Sequence, residues 1–363
     1  PLGVVVTGSK PAGNVEGNAT VQITLDIDNS LLPFEAVAEG TPTTWYYAQM
    51  HYYTTNAYSY RWFIAPAEDG SSVRTQDHEF AADEVEAHLW GFVGTVEAGF
   101  KMVNKATGKA IKSANTGVAA MAEVADATSF IAMGSDVHAD WFCMKNPAGN
   151  YLNAQGSVAN ATNCDFVINH WSDNDGGSSF FLTEYVDENV TVTVGELGWA
   201  TKYFGESVHV PADVNAYIIT GVNEHGYVVK EQIEEGDVIP ANTGVLLYSE
   251  TADEYEFAKT VSYNYTLAGN LLNGSVENTY VEGEAYVLAD HKDAGLGFYK
   301  AELNKDAEGN EGTTHFLNNT GKAYLVLPTT ASLNSYSLRI PGTTGVEEVE
   351  IRNEKEEIYD LTG

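Results

Sequence analysis

Apolar and polar residues alternate in short runs along most of this chain, and helical spacing is scarce. Asn18 to Asp28 reads as one alternating strand, followed by Leu32-Pro33-Phe34. Two longer phrases then match each other. Gly99-Phe100-Lys101-Met102-Val103-Asn104 runs through Lys105-Ala106-Thr107-Gly108 to Lys109-Ala110-Ile111. Trp141-Phe142-Cys143-Met144-Lys145-Asn146 runs through Pro147-Ala148-Gly149 to Asn150-Tyr151-Leu152. Each predicts a strand, an Asn-centred turn closing at Gly, and a second strand. Three aromatic clusters recur at intervals of about 40 to 50 residues. They are Leu89-Trp90-Gly91-Phe92, Ser129-Phe130-Ile131-Ala132 and Ser179-Phe180-Phe181-Leu182. A first repeat then begins near Trp45-Tyr46-Tyr47-Ala48-Gln49-Met50. Three four-stranded units of this length predict a closed threefold barrel, which leaves no sheet edge exposed.

Beyond residue 186 short β-rich runs continue: Val190 to Val194, Ala216 to Val222, Gly244 to Tyr248, Glu284 to Leu288 and Lys322 to Leu327. Gly, Asn and Asp turns separate them, as in a β-sandwich. The fold class this predicts is all-β, a β-trefoil plus a β-sandwich-like domain.

Residues 44–186, in repeats of about 44–94, 95–138 and 139–186, resemble the ricin-type β-trefoil. More narrowly, they look like the trefoil module of large secreted proteins of Gram-negative gut bacteria. His88-Leu89-Trp90-Gly91-Phe92 lies near the Gln-x-Trp closing motif of that family, and Phe100 to Gly108 and Asn146 to Asn153 match its opening. No repeat keeps the Gln; His88, Thr128 and Ser178 stand near its position. The motif is structural, so the resemblance implies the fold without carrying sugar binding automatically.

Residues 187–340 are similar to a domain common near the C-termini of the same secreted proteins. Gly198-Trp199-Ala200-Thr201, Val238 to Leu247, Gly297-Phe298-Tyr299-Lys300 and Lys322 to Pro328 carry that likeness. The family brings no catalytic residues with it. Residues 1–43 read as the end of a preceding small β domain and a linker. Residues 341–363 read as a linker and the start of a C-terminal sorting tail, through Gly345-Val346-Glu347-Glu348-Val349 and Ile358 to Gly363. The expectation is a longer secreted or cell-surface parent protein with further domains, and a chain opening at Pro1 inside mature sequence with no signal peptide.

Charge narrows the partners. With 51 acidic and 18 basic residues the formal net charge is −33. Nucleic acid and anionic membrane surfaces are repelled. No apolar run approaches the roughly 20 residues that span a bilayer. Cys143 and Cys164 either pair or are two unrelated thiols, and neither has the CxxC spacing of a zinc site.

Enzyme signatures are absent: no Gly-x-Ser-x-Gly elbow, His-Glu-x-x-His, Walker loop or dinucleotide fingerprint. Nothing selects two of the carboxylates as a glycosidase pair. The expectation is a non-enzymatic chain with no cofactor and no metal.

The best candidate site is in the third repeat: Asn153, Gln155, His170, Trp171, Asp173, Asn174 and Asp175. A sugar site needs a flat aromatic face for the C–H side of a pyranose and a carboxylate or amide aimed at its hydroxyls. Trp171 with Asp173, Asn174 or Asp175 supplies both. The other reading makes Trp171 a hairpin aromatic and Asp173-Asn174-Asp175-Gly176-Gly177 a plain turn. That turn also resembles the start of a calcium loop, without the bidentate Glu. The aromatic run from Trp45 through Tyr52, Tyr53, Tyr58 and Tyr60 to Trp62-Phe63 is barrel core in most positions, or a sticky contact surface. Arg61 and Arg74 pair either with an acidic sugar or with nearby carboxylates.

The expected role is an accessory region that binds glycans. The alternatives are a rigid spacer and an adhesion module that holds host surface proteins through its Tyr-rich surface. A glycan binder exposes Trp171 beside a free carboxylate or amide; a spacer buries it; an adhesin shows a contiguous aromatic patch.

Overall fold

The computed structural model describes residues 1–9, 22–51, 61–75, 79–113, 117–155, 167–262, 265–291, 295–302, 315–328 and 337–340. About half of these residues lie in strands, and the rest are turns, short 3-10 helices and irregular connections. Among them no helix is long and apolar enough to cross a membrane.

An antiparallel ribbon comes first, β1 (Val4–Ser9) with β2 (Gln22–Ile27). A short strand β3 (Ala36–Val37) follows. Twelve strands then form three units of four. The first holds β4 (Tyr46–His51), β5 (Arg61–Pro66), β6 (Val73–Thr75) and β7 (Leu89–Thr95). The second holds β8 (Gly99–Asn104), β9 (Ala110–Lys112), β10 (Ala120–Ala122) and β11 (Ile131–Gly134). The third holds β12 (Phe142–Lys145), β13 (Tyr151–Gln155), β14 (Val167–Trp171) and β15 (Phe180–Glu184).

The outer strands of each unit close a six-stranded antiparallel ring in the order β4, β7, β8, β11, β12, β15 and back to β4. The β8–β11 step is a single bridge, Phe100 to Phe130. The inner strands form three hairpins, β5–β6, β9–β10 and β13–β14. Each hairpin touches the other two: Arg74 pairs with Val167, Ser72 bridges Ala120, and the Ala119 amide donates to the Ile168 carbonyl at 2.8 Å. A closed ring capped by three mutually bonded hairpins is the connectivity of a β-trefoil, and closure removes the edges that would template aggregation.

The core explains the closing aromatics. Trp90, Phe130 and Phe180 stand at equivalent points of the three units, and all are fully buried. They pack with Phe92, Phe100, Met102, Phe142 and Met144 in one cluster. The expected linker contributes too. Phe34 stacks on Phe92, with ring centroids 3.8 Å apart, and meets Phe100 edge-on at 5.1 Å. β3 pairs in parallel with β7, and the Tyr46 hydroxyl accepts from the Glu35 amide at 2.8 Å. Residues 34–37 therefore pack as part of the barrel.

The second region builds three layers rather than a simple two-sheet sandwich. The first layer joins β16 (Asn189–Val194) to β23 (Asp253–Ala258), and β18 (Val208–His209) to β21 (Val238–Ile239). The middle sheet has the order β17 (Trp199–Phe204), β22 (Thr243–Tyr248), β19 (Asn215–Val222), β20 (Val228–Ile233). The third orders β24 (Leu272–Gly274), β29 (Ala323–Leu325), β26 (Tyr286–His291), β27 (Gly295–Lys300) and β30 (Ser337–Arg339). A side ribbon pairs β25 (Thr279–Glu282) with β28 (His315–Asn318). The middle sheet is apolar on both faces: Val245 and Leu247 pack against the first layer, Leu246 against the third. The unbroken run Gly244-Val245-Leu246-Leu247 has this cause, because a strand covered on both sides need not alternate.

The barrel and the layered region meet at a packed seam. Val261 joins a cluster with Tyr47, Phe63, Phe80 and Leu89. Ala82 donates its amide to the Gly236 carbonyl at 3.0 Å, and the Phe80 ring lies 6.2 Å from that of His209.

Candidate functional site

The third repeat places the candidate residues on the hairpin β13–β14 and the loop after it. The strand period of two decides their fates. Trp171 ends β14 with 44% of its surface exposed, directly across from Tyr151. The ammonium of Lys145 sits 5.2 Å above the Tyr151 ring. His170, one residue earlier, faces inward and is buried. Its Nδ1 meets the Gly117 carbonyl at 2.6 Å and its Nε2 meets the Ser113 hydroxyl. Burial lowers the pKa of His170, against an opposing pull from the Gly117 carbonyl.

The loop side chains differ in what they are bonded to. Asn153 is buried and donates to Asp175 at 3.0 Å and to the Ser178 hydroxyl at 2.9 Å. Asp175 caps the turn Gly176–Ser178 by accepting from the Ser178 amide at 3.1 Å. Burial raises the Asp175 pKa, and the donors from Ser178 and Asn153 pull it back. Asn174 donates to the Gly134 carbonyl at 2.8 Å and accepts from the Asp136 amide and the Cys143 thiol. Asp173 is exposed, and among the described residues its carboxylate accepts from the neighbouring Ser172 hydroxyl, at 3.2 Å. Gln155 ends β13 opposite Val167, and its side chain lies outside the described residues. The structure thus brings Trp171 and Asp173 to the surface together, while Asn153, His170, Asn174 and Asp175 tie the repeat together.

The acidic turn is held by these same bonds. Among the described residues no group of three His, Cys, Asp or Glu side chains is arranged to hold a metal ion. Cys143 is a free buried thiol, its pKa pushed up to about 12 by burial. Cys164 lies outside the described residues.

Of the aromatic run, Tyr46, Tyr47, Trp62 and Phe63 are buried. Tyr52, Tyr53, Tyr58, Tyr60 and the Arg61 side chain lie outside the described residues. Arg74 pairs across to β14 and adds to the field that lowers the Asp69 pKa, behind the hydrogen bonds from Ser71.

The residues that replace Gln in the closing motif share one task. His88 Nδ1 contacts the Glu84 carbonyl at 2.9 Å, Thr128 donates to the Ser113 carbonyl at 3.1 Å, and Ser178 donates to the Asp173 carbonyl at 3.0 Å. Each stands two residues before a core aromatic and meets a backbone carbonyl. Two neighbours of this face were not singled out in the sequence: Tyr151, buried across from Trp171, and Lys145, whose ammonium lies over the Tyr151 ring. Antiparallel register across the hairpin was the signal that places Tyr151 beside Trp171.

The fold defines the class: an all-β chain with a trefoil barrel and a three-layered β region. No protein-family profile and no curated protein matches it. A solved mosquitocidal holotoxin aligns over 74% of this chain and 40% of its own, at 6% identity and a TM-score of 0.35. The chain spans 40% of the length of that neighbour, and the trefoil assignment rests on the strand pairing above.

Proposed function

We propose that this chain is a non-catalytic carbohydrate-binding region, with its site on the third-repeat hairpin of a ricin-type trefoil. The observation that carries the reading is Trp171, a large indole left 44% exposed at a strand end. A pyranose stacks its C–H face on such a ring, and the exposed Asp173 carboxylate accepts from its hydroxyls. Tyr151, buried across the hairpin, backs the strand end that carries Trp171. One such contact is weak, so useful affinity comes from repetition or from tethering to other domains. This reading places the chain in a secreted or surface protein of a Gram-negative gut bacterium, where glycans are the abundant partners.

The spacer reading draws on a different observation, the packed seam between barrel and layered region. A glycan-array screen of the protein beside Trp171→Ala separates the two. The expected result is binding by wild type that the variant loses by about tenfold or more, with its melting temperature unchanged. Binding that survives the substitution moves the site elsewhere. No binding to any glycan by wild type favours the spacer.

A further inference from the structure

The chain passes once from the barrel to the layered region, between β15 and β16. Tyr185 is tied to the barrel, its amide donating to the Trp45 carbonyl at 2.8 Å. Glu188 is tied to the layered region, its carbonyl accepting from the Lys259 amide at 2.8 Å. Only Val186 and Asp187 lie between, both exposed and outside any strand. Such a pair can absorb the backbone rotation of a hinge. What fixes the two regions against each other is then the seam.

One carbonyl is central to it. Gly236 accepts from the Ala82 amide of the barrel at 3.0 Å and from Nδ1 of His209 at 2.9 Å. A carbonyl only accepts, so Nδ1 carries the proton and Nε2 of the neutral ring is a bare acceptor. His209 is 3% exposed, and its Nε2 is buried with no hydrogen-bond partner among the described residues. The Phe80 ring of the barrel lies 6.2 Å from the imidazole and stacks on His88. A proton added at Nε2 puts a buried charge and an unpaired N–H beside this aromatic contact, and both are costly.

Charged groups stand on every element around His209. Asp237 follows Gly236, and the exposed Glu234 and Glu235 precede it. Lys259, which bridges Val208, is engaged by Glu188 and Glu206. Across the seam the short helix Ala82–His88 carries Asp83, Glu84 and Glu86, and Glu86 pairs with Lys105. Burial lowers the His209 pKa, against the pulls of the Gly236 carbonyl and Asp237. We propose that the seam is an acid-opened latch: a proton on His209 releases the barrel, which swings on Val186 and Asp187 while both regions stay folded. Above about pH 6.5 His209 is neutral in the closed and open forms alike, and the latch is indifferent to pH. Below that value the open form takes the proton first. The open-to-closed ratio then rises by up to about tenfold per pH unit, about thirtyfold by pH 5, until the closed form titrates too. The latch is independent of the reading of Trp171.

The test is hydrogen exchange of the whole chain at pH 7.5 and 5.0, corrected for the intrinsic pH dependence of exchange and read by mass spectrometry. In wild type the peptide holding the Ala82 amide loses protection by up to about thirtyfold at pH 5.0. Peptides from β8 and β22 keep theirs, and the radius of gyration from X-ray scattering grows. His209→Asn keeps a donor for Gly236 and has no group that titrates in this range, so protection at Ala82 is the same at both pH values. His209→Phe, which keeps a ring without a charge, gives the same flat response and serves where the Asn variant does not fold. The proposal is overturned by unchanged protection at Ala82 in wild type, or by the wild-type response persisting in a folded His209 variant. Loss of protection across the whole chain together also overturns it, because that is global unfolding.

Discussion

At the scale of the residue, the same side-chain types serve turn, core and surface, and position decides among them. Asn104 and Asn146 are buried and close equivalent turns. The Asn104 oxygen accepts from the Thr107 amide at 3.1 Å, that of Asn146 from the Asn150 amide at 2.9 Å. Both turns were legible because a glycine of positive φ, Gly108 or Gly149, follows each Asn within four residues. Asn153 was not legible in this sense. Its partners lie 22 and 25 residues away, and only folding brings them to it. Asn153→Ala leaves Asp175 and Ser178 short of a donor in a buried loop. It is expected to cost about 1–3 kcal/mol in urea unfolding, with Trp171 and its surroundings still exposed. A change under about 0.5 kcal/mol would mean that water replaces the lost donor.

At the scale of the element, burial on one face or two explains which strands the sequence announced. The barrel strands carry the aromatic and Asn signals of a threefold repeat, and their hairpins follow from turn chemistry. The reading of residues 1–43 as the end of a small β domain and a linker gave Phe34 no part in the barrel, because Leu32-Pro33-Phe34 has no period and no partner strand nearby in sequence. In the fold Phe34 fills the space among Phe92, Phe100 and Phe142. Phe34→Ala is therefore expected to destabilise the barrel by about 3–5 kcal/mol, as a core cavity does. Chemical unfolding followed by tryptophan fluorescence measures this, and a loss below 1 kcal/mol would show that the barrel closes without its plug. The two-faced burial of β22 had a readable cue, the run Val245-Leu246-Leu247. The cue does not say how many layers stack, so a sandwich was the natural expectation and three layers the outcome.

At the scale of the whole molecule, the seam couples the two regions, and it contains two buried histidines. His88 stacks on Phe80 with centroids 4.1 Å apart; His209 meets the Gly236 carbonyl through Nδ1 at 2.9 Å. Burial lowers both pKa values, opposed at His88 by the Glu84 carbonyl and at His209 by the Gly236 carbonyl and Asp237. A histidine whose folded pKa is depressed is neutral in both states above about 6.5 and costs nothing there. As pH falls below that value the unfolded chain takes up the protons first, so stability is lost progressively until the folded pKa is passed. Melting temperature is expected to be flat from pH 8 to 7 and to decline from about pH 6.5 to 5. A His88→Phe/His209→Phe variant should show a shallower decline over that interval, and an unchanged slope would place the titrating groups elsewhere.

The sequence by itself determined the all-β class, the threefold repeat and the aromatics that close each unit, because strand period, turn residues and repeat spacing are local and recur. It also set the strongly negative net charge. Only the tertiary structure decided which candidate residues reach solvent. Trp171 and Asp173 face out while Asn153 and His170 are buried and the half-buried Asn174 and Asp175 are bonded into the repeat, a consequence of hairpin register and of partners far off in the chain. It alone placed Phe34 in the barrel and stacked the second region in three layers. Those are contacts between segments with no common pattern, and their energies depend on packing and on fields that no stretch of sequence carries alone.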